Sequence, residues 1–202
     1  MTDVAVSGKS LFQLVFLFWV IMDSLGTLPL FVSLLKHFEP SKQYRIITRE
    51  LLIALGIMIL FLYFGQAFLA LLDISHATLQ MAGGTILFLL AIKMIFAKPT
   101  LEQKGKKFPK DPLIVPLAVP SIAGPGILAT ITFYGGGIAN NLTVLLAIII
   151  AWALSLVILL LSPILNKLLG DNGVIAIERL FGYIIVLISI QMAFTGLISV
   201  FQ

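Results

Sequence analysis

Apolar residues arrive along this chain in six long blocks separated by short polar clusters. A membrane-crossing helix needs about 20 mainly apolar residues. The stretches 11–35, 50–72, 77–97, 112–134, 142–165 and 176–200 meet that length and predict six transmembrane helices. The first and fourth blocks are interrupted. The first reads LFQLVFLFWVIMDSLGTLPLFVSLL, with Asp23, Gly26 and Pro29 at its middle. The fourth opens PLIVPLAVPSIAGPG, with Pro112, Pro116, Pro120 and Pro125 beside Gly124 and Gly126. An interior proline removes a helix hydrogen bond and clashes with the preceding turn. The pattern therefore predicts helix breaks near Asp23–Pro29 and near Ser121–Gly126.

Composition agrees with the membrane reading. Of 202 residues, 60% are hydrophobic and 11% charged, against roughly 25% charged in a soluble domain. Little chain is left outside the six blocks, so a single transmembrane domain over 1–202 is expected, without a soluble appendage. The first block is too long for the apolar core of a signal peptide, and Asp23 interrupts it. There is no cysteine, which excludes disulfides and thiolate chemistry. Twelve of the 13 Lys and Arg residues flank the first, third and fifth connections, and Lys9 alone lies on the other side. The positive-inside rule places those connections in the cytoplasm and both termini outside. The net charge of +4 is thereby explained by topology, and no nucleic-acid partner is expected. The Lys-rich segment 98–111 reads as a solvated cytoplasmic linker with weak attraction to lipid.

That linker divides two related halves, 1–97 and 112–202. A shift of 98 residues places Gly84–Ala97 on Gly182–Thr195, with six of 14 positions identical. The same shift places Gly26 on Gly124 and Asp23 on Ser121, aligning the two interrupted spans. Three spans per half insert the second half upside down. Inverted repeats with matching broken helices point to a secondary transporter with its site near the membrane midplane.

The chemistry expected at that site follows from the breaks. A charged residue near the centre of a membrane helix costs at least about 2.5–3.5 kcal/mol, and such residues mark functional sites. Asp23 is the only acid that the blocks place deep in a span. A half-helix starting at each break presents free N–H groups and a positive dipole end, which suits a carboxylate. Asp23 then serves an ammonium group or a coupling H⁺ or Na⁺, or else caps the half-helix that follows it. Ser24, Thr27 and Ser121 either line the pocket or bond back within their helices. Gly26, Gly124 and Gly126 are candidate contacts, and Pro29, Pro120 and Pro125 are break-formers. Gly83, Gly84 and Gly182 read as close-packing positions. Gln80 and Gln191 are candidates for reaching a cavity. Lys93 has both a snorkelling and a functional reading, and Arg49-Glu50 and Glu178-Arg179 mark cytoplasmic helix starts.

MDSLGTLPLF, MAGGTILFLLAIKMIF, IVPLAVPSIAGPGILAT and ERLFGYIIVLISIQM, in that order, resemble the MarC family of bacterial inner-membrane proteins, within it the YhgN-like branch. The resemblance covers essentially the whole chain. The family is similar to the wider LysE-type transporter group, which implies six spans in two inverted triplets. It also implies transport of small neutral amino acids of the glycine, alanine and serine type across the bacterial inner membrane. Its Asp-x-x-Gly-x-x-Pro pattern falls on Asp23, Gly26 and Pro29, and its Gly-Pro-Gly element on Gly124, Pro125 and Gly126.

Other classes fit less well. Both histidines lie in connections, a second intramembrane acid for an aspartyl protease is not apparent, and no phosphate loop or metal-ligand cluster is present, so an enzyme is not expected. No cofactor is expected. The partners expected are a small-molecule substrate, membrane lipid and a coupling ion, with a homo-oligomer left open. A channel or exporter for another small solute, or a membrane protein without transport activity, is the alternative.

Overall fold

The computed structural model of the protein describes residues 10–28, 31, 35, 38–96, 122–136 and 140–200. Among them all regular structure is helical. The helices are α1 (Leu11–Met22), α2 (Pro40–Leu71), α3 (His76–Phe96), α4 (Pro125–Gly135), α5 (Asn141–Leu160) and α6 (Ser162–Val200). Ser10 caps α1 through a capping box with Gln13, and Asn140 caps α5 by accepting from the Leu142 N–H at 3.0 Å. Within α6 the helical path is interrupted at Gly170, whose φ of 64° lies in the region that only glycine enters cheaply.

Four helical segments are long and apolar enough to cross a membrane: Ser41–Leu71, His76–Phe96, Asn141–Leu160 and Ile175–Val200. The shorter Leu11–Met22 is apolar too. Large apolar side chains point away from the protein along whole helices, such as Leu142, Leu146, Ile149 and Val157 on α5 and Tyr183, Leu187, Ile190 and Phe194 on α6. A continuous apolar exterior of this extent is unstable in water and matches hydrocarbon. The chain is an integral membrane protein with several spans.

The helix limits correct the sequence reading in places. The second helix starts at Pro40, ten residues before the expected position 50, because the polar stretch 40–49 continues the helix beyond its apolar part and Pro40 suits a first helical position. The fifth ends at Leu160 rather than 165. Residues 97–121, which include the linker 98–111, Pro120 and Ser121, lie outside the described residues, as does Pro29.

The most extensive helix–helix contact is a seam of α3 against α6, beside a buried apolar core drawn mainly from α1, α2, α4 and α5. Glycines bring the two backbones together. A Cβ at Gly84 would lie 2.7 Å from the Ala193 nitrogen and 2.8 Å from the Ser189 carbonyl oxygen. A Cβ at Gly182 would lie 2.9 Å from Ile95 and 3.4 Å from the Ala91 carbonyl oxygen. At the far end Gly196 meets Ala77 and Met81. These contacts run antiparallel: as the position on α3 falls, its partner on α6 rises. Small residues at a membrane helix interface permit such approach.

Around the seam, α4 packs between α2 and α3, while α5 lies against both α1 and α2. Trp152 on α5 donates its Nε1–H to the Leu51 carbonyl at 2.7 Å. One turn away, the Ser155 hydroxyl reaches the Met22 sulfur at 3.7 Å. Gly84→Leu should destabilise the protein by about 1–3 kcal/mol, as overpacking does. Gly56→Leu, where a Cβ meets nothing within 4 Å, should stay within about 0.5 kcal/mol. Thermal unfolding in detergent distinguishes the two; equal effects would contradict the close approach.

Candidate functional site

The first span breaks as the sequence predicts, and Asp23 makes the break. It adopts the left-handed conformation (φ 47°, ψ 45°) and ends α1, its N–H bonding the Val20 carbonyl at 3.1 Å. Asp and Asn are the non-glycine residues that tolerate this conformation best. The same residue starts the next turn. Its Oδ1 accepts the Gly26 N–H at 3.1 Å, and its carbonyl accepts the Thr27 N–H at 3.0 Å and the Thr27 hydroxyl at 3.1 Å. A Cβ at Gly26 would fall on the Asp23 carboxylate, so glycine there leaves room for the cap. Asp23 is buried, at 5% exposure.

Of the two roles open to Asp23, capping is therefore visible in the geometry. Thr27 bonds backwards to Asp23 and Ser24. Ser24 differs: its hydroxyl is buried and has no hydrogen-bond partner.

Gly124, where the sequence predicts the second break, is extended (φ −69°, ψ 166°) and precedes α4, and among the described residues no side chain caps that helix start. Pro125 occupies the first helical position, where a missing N–H is harmless. Gly126 is buried against Leu87, onto which its Cβ would fall. A cavity of about 210 Å³ opens here. Gly124, Pro125, Gly126 and Ile127 line it together with Ile21 of α1 and Leu87, Leu90 and Lys93 of α3. Lys93 thus shares a cavity with the N-terminus of α4.

A second cavity of about 410 Å³ lies further along α4. Gln80 of α3, Thr130 and Tyr134 of α4, and Gln191 and Thr195 of α6 supply its polar lining. Leu17 and Ile21 of α1 close one side, so Ile21 borders both cavities. Gln80 and Gln191 thus do reach a cavity. Asp23, Ser24 and Thr27 line neither of these two. Gly83, Gly84 and Gly182 serve packing. Ser121, Pro29 and Pro120 lie outside the described residues.

Sequence reasoning missed Glu50. It has no exposed surface, so Asp23 is not the only deeply buried acid. Its signal was present: Ile46, Ile47, Leu51 and Ala54, all buried, put position 50 on the same helical stripe. No group of His, Asp and Glu suited to a metal ion occurs among the described residues.

Asn caps helices as well as Asp does, whereas Ala in place of Asp costs about 0.5–2 kcal/mol. Asp23→Asn should therefore keep the break and nearly all thermal stability, while Asp23→Ala should lose about that amount. Unfolding of the two purified variants tests this; equal losses would contradict the capping geometry.

Comparison with known proteins agrees with the architecture. The family described as "MarC family integral membrane protein" matches residues 8–201. A UPF0056 membrane protein of Buchnera aphidicola subsp. Baizongia pistaciae is 44% identical over 198 residues, covering 96% of this chain and 98% of that protein. The UPF0056 inner membrane protein YhgN of Escherichia coli K12 is 45% identical over 179 residues, covering 88% and 91% respectively. A UPF0056 membrane protein of Chlamydia pneumoniae is 42% identical over 193 residues, covering 95% and 96%. No solved structure matches. With the family matched from residue 8 to 201 and relatives aligned along nearly their full length, this chain belongs to the MarC family.

Proposed function

We propose that the protein is a secondary transporter of small neutral amino acids, of the glycine, alanine and serine type, working by alternating access. One observation carries the substrate class: Lys93 and the start of α4 line the same cavity of about 210 Å³. A helix N-terminus offers backbone N–H groups and the positive end of a dipole, and an amine beside it strengthens the attraction for a carboxylate. The cavity is smaller than the roughly 300–1,000 Å³ of pockets for drug-sized ligands, and its other walls, Ile21, Leu87 and Ile127, are apolar. A short uncharged side chain fits those walls. The unpartnered Ser24 hydroxyl and the Asp23 carboxylate, which lie outside this cavity in the conformation described, are the groups proposed to meet the ammonium end when the triplets rearrange.

The packing supports an inverted repeat. The residues that Gly182 meets, Ala91 and Ile95, correspond under the 98-residue shift to Ser189 and Ala193, which Gly84 meets. Alternating access then takes the form of one triplet rocking against the other around the breaks. Membership of the MarC family and the name of the Escherichia coli relative support a place in the bacterial inner membrane. The charge asymmetry supports periplasmic termini.

Counterflow of labelled glycine, alanine and serine in proteoliposomes tests this reading. Saturable exchange is expected. Lys93→Met should raise the half-saturation concentration about tenfold or more, as loss of a charged hydrogen bond does. No flux from folded protein would overturn the reading; linear, unsaturable flux would make the protein a channel.

A further inference from the structure

Glu50 stands apart from both cavities and from both helix breaks. It lies in α2 with no exposed surface. Its Oε1 accepts from Nε and Nη2 of the neighbouring Arg49 at 3.1 and 2.8 Å. Its Oε2 is equally buried and has no hydrogen-bond partner. Arg49 is itself 51% exposed, so the pair joins the interior to the surface. A buried carboxylate keeps a cation beside it or carries a proton, and Glu50 is arranged for both.

The surroundings narrow the ligand. Of the helices packed extensively against α2, α5 contributes no ionisable group and α4 only Tyr134 among the described residues. On α2 itself the nearest further charge is Arg45, which is exposed. Polar atoms on the facing turn of α5 are already engaged, Trp152 by the Leu51 carbonyl and Ser155 by the Met22 sulfur. A hard metal cation needs several oxygen ligands at once. A proton needs one. That same turn of α5 touches Leu51, next to Glu50, and Met22, next to Asp23, which connects the buried acid to the broken span.

We propose that Oε2 of Glu50 is the proton-binding atom that couples transport to the proton gradient. This rests on the transport reading above. The step is a simple association: a proton from water forms an O–H bond at Oε2, the carboxylate becomes a neutral acid, and Arg49 keeps its charge. Neutralising Glu50 weakens its hold on Arg49, and the change is passed to the break through α5. Asp23, which the sequence suggests for coupling, has Oδ1 committed to the Gly26 N–H and serves the break.

Infrared difference spectroscopy of the full chain in lipid, titrated with pH, reads the protonated carboxyl band without any substrate. A titrating band is expected in wild type and in Asp23→Asn, and is expected to vanish in Glu50→Gln. A band that survives in Glu50→Gln, or the absence of any carboxyl band in wild type, overturns the assignment. In proteoliposomes, accumulation driven by a pH gradient should fall at least tenfold in Glu50→Gln; accumulation at the wild-type level overturns the coupling role. Absence of flux in wild type defeats the transport reading and with it the coupling role, while the infrared band still decides whether Glu50 binds the proton.

Discussion

Close contact between the α3 and α6 backbones is the constraint on which the other features depend. In lipid there is little hydrophobic gain from pressing two apolar helices together, so association relies on packing and on small residues that let backbones approach. Gly84, Gly182 and Gly196 provide this at three levels of the seam. With α3 and α6 held there, Lys93 and Gln80 are fixed at opposite ends of α3, each lining a different cavity beside α4. Loosening the seam would alter both cavities together.

The second constraint is that backbone groups inside a membrane must find partners within the protein. The turn at Asp23 and the start of α4 meet it differently. At the first, Asp23 ends one helix and begins the next turn with its own amide, carbonyl and carboxylate. At the second, Gly124 supplies no side chain, and the start of α4 faces a cavity. Asp23 turns its own groups onto the neighbouring turn, while the start of α4 presents its donors to a cavity. This asymmetry gives the proposed site its direction, with carboxylate recognition at α4 and acidic groups opposite.

Much of this architecture was legible from residue order. The break at Asp23–Pro29 follows from an acid, a glycine and a proline inside an apolar run, and α3 falls within one residue of its expected limits at each end. The packing role of Gly84 and Gly182 follows from the alignment that relates them. Glu50 escaped because it follows Arg49 at the edge of an apolar run, where a charged pair ordinarily marks a membrane boundary. Its burial is a tertiary fact, which hydropathy alone does not carry. The start of α2 at Pro40 was hidden for a similar reason, since apolar length measures the part of a helix in lipid and not the helix itself. Whether Asp23 caps or binds was undecidable from residue type, because the same carboxylate does both.

The absence of native cysteine makes the seam directly testable. Gly84→Cys combined with Ala193→Cys, and separately Gly182→Cys combined with Met94→Cys, would place Cβ atoms 3.0 and 3.3 Å apart, a few tenths of an ångström inside disulfide spacing. Mild oxidation of each double variant in lipid, read as an internal cross-link by mass spectrometry, is the measurement that bears most directly on the account. Antiparallel packing of α3 on α6 predicts that both pairs close. Closure of only one pair, or of neither, would contradict the seam and the arrangement of cavities built on it.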